Sequence, residues 1–418
     1  MLTFLKRFLA SALILALTAG IAGCGIHIIY ADGGPAEPSP SPTATVSAPP
    51  SADISASPSP NITPTPSPSI APSPSVPPVK LVPYDGIVEH IFFHPSVAYP
   101  ELAFDGDTKA KGIDQNMVTV SEYTKMLQSI YDNGYILVNM NDVWTEYKDD
   151  DGVARMKKST LMIPEGKKPL VISYDDTNYY NYMFTNGFTH KLVIRDDEIW
   201  SFGLDPVGKE VYSQDLDVIT ILDKFVEHHP DFSLNGAKGC LCLTGYEGIL
   251  GYRTMTDTHG MTSEMEAKRQ AEIIAVKPVV AKLKETGWYF GSHSWGHISL
   301  STSGLSSVQS DTQRWLNEVG SLVGPTKLYF YPFGARPDGD DVQKSGPIFK
   351  YLQGQGFRIF ASVGIESYSK IKTDISAVIC DRMHPDGSTL RTQRDRYLKF
   401  YDARLVFDNV RPDYGTNW

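Results

Sequence analysis

Fifteen of the chain's 29 prolines fall between Ala31 and Lys80. Proline has no amide hydrogen and fixes φ at about −65°, so it is excluded from helix interiors and central strands. A run that alternates it with Ser, Thr and Ala, as in Pro64-Thr65-Pro66-Ser67-Pro68, cannot bury a core. It favours extended polyproline II at about 3.1 Å per residue and reads as a disordered linker over residues 31–79, reaching on the order of 100 Å. Any core must therefore form in the 339 residues from Lys80 to Trp418, enough for one large α/β domain.

Ahead of the linker, residues 1–30 carry Lys6 and Arg7 and then an apolar run from Phe8 to Gly23, the layout of an export signal. The run ends in Ile21-Ala22-Gly23-Cys24, which resembles a bacterial lipobox with Cys24 as the acylated residue. Phe8 to Tyr30 is also long enough to serve as an uncleaved membrane-spanning helix. Both readings leave the two cations inside and the rest of the chain anchored on the outer face of the cell membrane.

The chain's net charge is −10. Non-specific nucleic-acid affinity rests on cations meeting phosphates, so nucleic acid is an unsuitable partner. Four cysteines without a CxxC pair give neither a disulfide scaffold nor a zinc ribbon. Cys240 and Cys242, two apart on one strand face, read as small packed hydrophobes.

Beyond Lys80 short apolar runs alternate with helical patterns. Strands are expected at 90–94, 135–140, 169–174, 238–243, 288–291, 328–331, 358–363 and 375–379. Helices are expected from Ser121, over 218–228, from Glu264 to Thr286, over 306–320 and near 340–355. This alternation predicts a parallel sheet rolled into a closed or nearly closed (β/α) barrel, whose chemistry belongs at the strand carboxyl ends.

Three of those ends carry suggestive residues. Ser173-Tyr174-Asp175-Asp176-Thr177 places two carboxylates on successive positions, which point in different directions and so suit two different roles. His293-Ser294-Trp295-Gly296-His297 sets two histidines four apart; if the chain turns helical there, both imidazoles project to one side. Arg382-Met383-His384 follows the last apolar run. One carboxylate with two imidazoles is the donor set of an open catalytic zinc site.

With these residues the chain resembles the NodB-type polysaccharide deacetylases, carbohydrate esterase family 4. The family motifs run T-F-D-D-G, H-[ST]-x-x-H, R-x-P-Y-G and L-x-H. Here they read Ser173-Tyr-Asp-Asp-Thr177, His293-Ser-Trp-Gly-His297, Phe330-Tyr-Pro-Phe-Gly334 and Met383-His384. The resemblance covers roughly residues 85–390, and the arrangement of Val118 to Trp144 is similar to that of exported poly-N-acetylglucosamine deacetylases. It implies a distorted (β/α) barrel over 80–418 and removal of N-acetyl groups from an extracellular or cell-wall polysaccharide. By the same resemblance Asp176, His293 and His297 would bind a divalent metal, zinc first, which activates a water. Asp175 would be general base and His384 general acid. The main-chain N–H of Phe333, after Pro332, would face the oxyanion.

The pattern departs from the family at several places. Thr177 stands where the family has Gly. Phe330 stands where many members have the Arg that orients the base, and Arg253 is a candidate replacement. No counterpart is visible for the Asp that tunes the acid histidine. Residues 178–217 read as an insertion forming a lid or hairpin, and His94 ends a strand near the cleft. Three other readings keep parts of the pattern: a non-catalytic carbohydrate-binding barrel, an O-acetyl esterase using the same site, and a serine hydrolase. The last is disfavoured because Ser292 stands where a nucleophile elbow at Ser294 needs Gly.

Overall fold

In the computed structural model, described over residues 79–257, 259–337, 346–372 and 376–413, seven of the apolar runs become parallel strands. They are β1 (Glu89–Phe93), β2 (Lys168–Asp175), β3 (Gly239–Leu243), β4 (Tyr289–Ser292), β5 (Leu328–Phe330), β6 (Ile359–Val363) and β7 (Ala377–Arg382). Each hydrogen-bonds to the next in chain order. The ring shuts where the Phe92 N–H donates to Met383 O (2.9 Å) and the Met383 N–H to His90 O (3.1 Å). Below that point the free edge of β7 is taken by an antiparallel strand, Tyr368–Lys372. The fold is thus a nearly closed, distorted (β/α) barrel, as expected.

Side-chain alternation sorts each strand between lumen and helices. In β2, Val171 belongs to the lumen cluster with Cys240, Cys242, Phe330, Ala361, Val378 and Cys380. Leu170, Ile172 and Tyr174 join the outer core against the helices. Cys240 and Cys242 are buried and form no disulfide, as expected of packed hydrophobes, and Cys380 is buried with them. Phe330 fills the lumen opposite Gly291, where an added Cβ would sit 2.3 Å from the Phe330 ring.

The outer helices follow their sequence signals. Helix α1 (Val120–Asp132) opens on a capping box between Thr119 and Glu122 and buries Tyr123, Met126, Leu127 and Ile130. Helix α2 (Val218–His228) is capped by Asp217. Helix α3 (Ser263–Glu285) is capped by Thr262 and ends before Gly287, whose φ of 101° suits glycine. Helices α4 (Leu305–Trp315) and α5 (Pro347–Gly354) complete the wall.

Several expectations change. The 135–140 run forms only Tyr135–Leu137, a side strand beside the start of β2. The hairpin of Trp144–Lys148 with Ala154–Lys158 reads as loop because its strands are half-exposed and charged, and the antiparallel pair Leu81–Tyr84 with Leu161–Pro164 reads as loop because each short strand contains a proline. Part of the inserted segment becomes a three-stranded antiparallel sheet over Lys191–Arg195, Glu198–Leu204 and Glu210–Ser213. It packs on α2 and α3 and against the loop after β3, where the Leu192 N–H donates to the Leu250 carbonyl (3.2 Å), so of the expected lid or hairpin it is the hairpin. The anchor and most of the linker, within residues 1–78, lie outside the described residues, as do 338–345 at the start of the helix expected near 340–355. No helix of the described residues is long and apolar enough to cross a membrane.

Candidate active site

Alternation along β2 decides what its two carboxylates face. Ser173 and Asp175 continue the lumen parity of Val171, so the Asp175 carboxylate sits buried at the top of the barrel interior. Arg382, on the lumen parity of β7 after Val378 and Cys380, meets it there. Arg382 Nη1 donates to Asp175 Oδ1 (2.7 Å) and Nη2 to Oδ2 (2.9 Å). The guanidinium is fully buried, lying over Phe92 of β1 at 4.1 Å and Phe330 at 4.8 Å, and it also donates to Ser173 Oγ. Burial alone would raise the Asp175 pKa; the charge and hydrogen bonds of Arg382 outweigh it and hold the carboxylate well below its ordinary range.

This corrects the expectation for Arg253. Its guanidinium donates to the carbonyls of Glu247 (2.7 Å) and Tyr179 (3.0 Å) and lies over Phe184, so it does not pair with Asp175. The cation that pairs with Asp175 comes from the last strand and lies above the Phe330 ring. In the sequence it stands in the run Arg382-Met383-His384, at the end of a strand and two residues before the histidine.

Asp176 is one residue beyond β2 and takes a left-handed conformation, φ 58°. That turn swings its carboxylate out of the lumen into the mouth. The left-handed position is Asp176 itself; Thr177 does not have positive φ, so a side chain there costs no backbone strain. Asp176 Oδ1 accepts from the Tyr180 hydroxyl (2.7 Å), while Oδ2 lies 3.7 Å from His297 Nε2 and 3.9 Å from His94 Nε2.

The two histidines after β4 converge without a helix. Residues 293–297 form an irregular turn with positive φ at Ser294 (58°) and His297 (52°). Asp311 of α4 holds the turn by accepting from the N–H groups of Trp295 (2.8 Å) and Gly296 (2.7 Å). The Trp295 carbonyl in turn accepts from Gly245 and Tyr246. The helical reading of this pair is therefore corrected: strained turn geometry, not helical spacing, brings the rings together at 4.9 Å. His293 Nδ1 lies 2.9 Å from the Phe330 carbonyl oxygen, an acceptor only, so Nδ1 carries a proton and Nε2 is the nitrogen left to face the cleft. Burial lowers the His297 pKa and favours the neutral, ligating form.

Ligand atoms of Asp176, His293 and His297 all lie within 4.8 Å of one another. With metal bonds of about 2.0–2.2 Å, a small closing movement would let the three share one divalent ion. The donor set, one imidazole whose Nδ1 is committed to a carbonyl, a second imidazole and an oriented carboxylate, fits such an ion.

His384 and His94 form the far wall. His384 Nδ1 lies 3.0 Å from Asp386 Oδ2, its ring stacks on Phe92 at 4.3 Å, and its Nε2 is 3.0 Å from His94 Nδ1. Asp386, two residues after His384, is the carboxylate partner that had no counterpart in the motif reading. Burial and the neighbouring His384 lower the His94 pKa to about 4. These groups line a cleft of about 380 Å³ with Asp175, Tyr331, Phe333 and Val363. Phe333 has φ 58° and is 71% exposed on the rim; Pro332 is buried behind it.

No protein-family model matches the chain, and no curated protein matches it. Solved structures similar to it include the Streptococcus pyogenes deacetylase PplD in complex with acetate, at 11% identity and TM-score 0.39, covering 73% of this chain and 94% of that one. IcaB from Ammonifex degensii is 11% identical, TM-score 0.37, over 77% of this chain and 97% of its own. A polysaccharide deacetylase from Bacillus cereus is 12% identical, TM-score 0.40, over 76% and 69%. Likeness this distant adds nothing to what the side chains themselves say about chemistry.

Proposed function

We propose that the chain is a metal-dependent hydrolase that removes N-acetyl groups from an extracellular or cell-wall polysaccharide. The observation that carries this reading is the convergence of Asp176, His293 and His297 at the barrel mouth beside a second, arginine-gripped carboxylate. A divalent ion held by the three, zinc by preference for this nitrogen-and-oxygen set, supplies Lewis acidity toward an amide carbonyl and lowers the pKa of water.

The chain's own groups then divide the proton work. Asp175 is ionised at any working pH and is fixed in orientation by Arg382, so it accepts the proton of the attacking water. His384, oriented by Asp386, is the acid that a departing sugar amine requires. Its Nε2 is bonded to His94 Nδ1, and it is His94 Nε2 that lies nearest Asp176. When His384 carries both protons it donates to His94 Nδ1, leaving His94 to present Nε2–H to the cleft. The pair acts as one relay. The Phe333 N–H, with Pro332 setting the turn, faces the developing oxyanion. Anchoring through Cys24 or an apolar amino-terminal helix, followed by the polyproline spacer, would hold the domain outside the membrane.

The test is acetate release from N-acetylglucosamine oligomers by the purified chain, with chelator and with zinc added back. Zinc-dependent release is expected. Zinc bound without release would favour a carbohydrate-binding barrel, and release from acetyl esters alone would favour an O-acetyl esterase.

A further inference from the structure

Asp176 has two oxygens, and only one of them faces the histidines. The other, Oδ1, accepts at 2.7 Å from the hydroxyl of Tyr180. That hydroxyl lies 2.6 Å from Thr244 Oγ1 at the end of β3. A phenol has one proton; if it goes to the carboxylate, the threonine hydroxyl must donate to the phenol oxygen. Thr244 is itself pinned, its N–H donating to Asn178 Oδ1 (3.2 Å) and its carbonyl accepting from Asn178 Nδ2 (2.9 Å). The Tyr180 ring is 3% exposed and stacked on Tyr246 at 4.5 Å with planes 8° apart. A buried, stacked ring has little freedom to release its partner.

We infer that Tyr180, from the segment inserted after the paired carboxylates, is a positioning residue for the metal ligand Asp176. Its donated hydrogen bond holds Oδ1 and turns Oδ2 toward His297 and His94. Without it the Asp176 carboxylate, already at a left-handed backbone position, can rotate about its Cβ–Cγ bond and turn its plane so that neither oxygen points at the imidazoles. The inserted segment thus serves the site from beneath the ligand, through a turn at its start, while its three-stranded sheet packs elsewhere. The inference rests on the proposed metal site and adds to it a residue outside the ligand set.

The experiment compares Tyr180→Phe, Thr244→Val and Asp176→Ala with the unaltered chain, reading zinc affinity by competition with a chromophoric chelator. Outer partners of metal ligands typically change affinity roughly 10–100-fold. Tyr180→Phe keeps the stacked ring and should weaken zinc binding by that factor while the zinc-free protein melts within a few degrees of the unaltered one. Its kcat should return when zinc is saturating, with KM for the oligomer unchanged. Thr244→Val should show a smaller loss of the same kind. Unchanged zinc affinity in Tyr180→Phe, with Asp176→Ala losing zinc, would overturn the role of Tyr180 and leave the metal site standing. Unchanged affinity in Asp176→Ala would overturn the site reading itself. An activity loss that saturating zinc does not restore, or a raised KM, would also overturn the inference, because the hydroxyl would then act on substrate.

Discussion

Arg382 donates to both carboxylate oxygens of Asp175, at 2.7 and 2.9 Å, reaching past Phe92 of the strand that lies between them. Two barrel strands far apart in sequence are joined at the mouth by a buried ion pair, with Arg382 enclosed and Asp175 at the floor of the cleft. This geometry gives Asp175 an oriented carboxylate and makes the arginine a fixed part of its surroundings.

Removing one member of such a pair leaves a buried charge without its counter-ion, at a cost of about 3–5 kcal/mol. Arg382→Met should therefore destabilise by that order in urea unfolding and lower acetate release roughly 10²-fold through misplacement of Asp175. Arg382→Lys should lose the two-pronged contact and recover only part of the activity. Arg382→Met combined with Asp175→Asn should regain stability but no activity.

Zinc that binds only the folded chain raises its melting temperature by an amount that grows with the logarithm of its affinity. The unaltered protein should show this shift on zinc addition. Asp176→Ala, His293→Ala and His297→Ala should each lose most of it, together with zinc-dependent acetate release. Calorimetry at fixed protein concentration checks both. A mutant of Asp176 that keeps metal and activity refutes its assignment.

His94, His384 and Asp386 form one chain of contacts. His384→Gln and His94→Gln should each lower kcat on N-acetyl substrates roughly 10²–10⁴-fold. The double variant should be little worse than either, because residues acting as a unit are not additive. Asp386→Asn should give a smaller loss. Acetyl esters with acidic leaving groups need no proton and should be much less affected, which steady-state kinetics on the two substrate classes will show.

Asp217 caps α2 from a buried site, accepting from Tyr179 (2.7 Å), and burial raises its pKa to about 6. An unfolded aspartate titrates near about 3.9. The folded chain therefore holds this proton more tightly, and the resulting stability is present below about pH 4 and lost as pH rises through about 6, on the order of 3 kcal/mol. Asp217→Asn keeps a capping oxygen and should flatten this part of the profile, raising stability at pH 7 relative to pH 5. Urea midpoints across pH 4–8 test the slope.

Much of the site could be read along the chain because its signals are local. Asp175-Asp176 after an apolar run and the spacing of His293 and His297 are visible in a few residues, and β/α alternation is enough to imply a barrel. The groups that are not legible along the chain are those that only the fold aims. Arg382 is 207 residues from Asp175, and Thr244, which lies against the Tyr180 hydroxyl, is 64 residues from it. Asp386 stood beside His384 in the chain, yet only the fold directs its carboxylate at Nδ1 rather than at solvent.

Local sequence thus determined which elements form, where they stop and which chemical groups stand at their ends, since propensity, capping and hydrophobic period act over a few residues. Only the tertiary structure decided which of those groups meet. Strand parity sends Asp175 inward to Arg382, a left-handed turn sends Asp176 outward to His293 and His297, and ring closure between Ile91 and Met383 brings His94 against His384. Direction and distance between remote side chains come from how the sheet rolls and where its backbone is strained, and neither is written in a short stretch of residues.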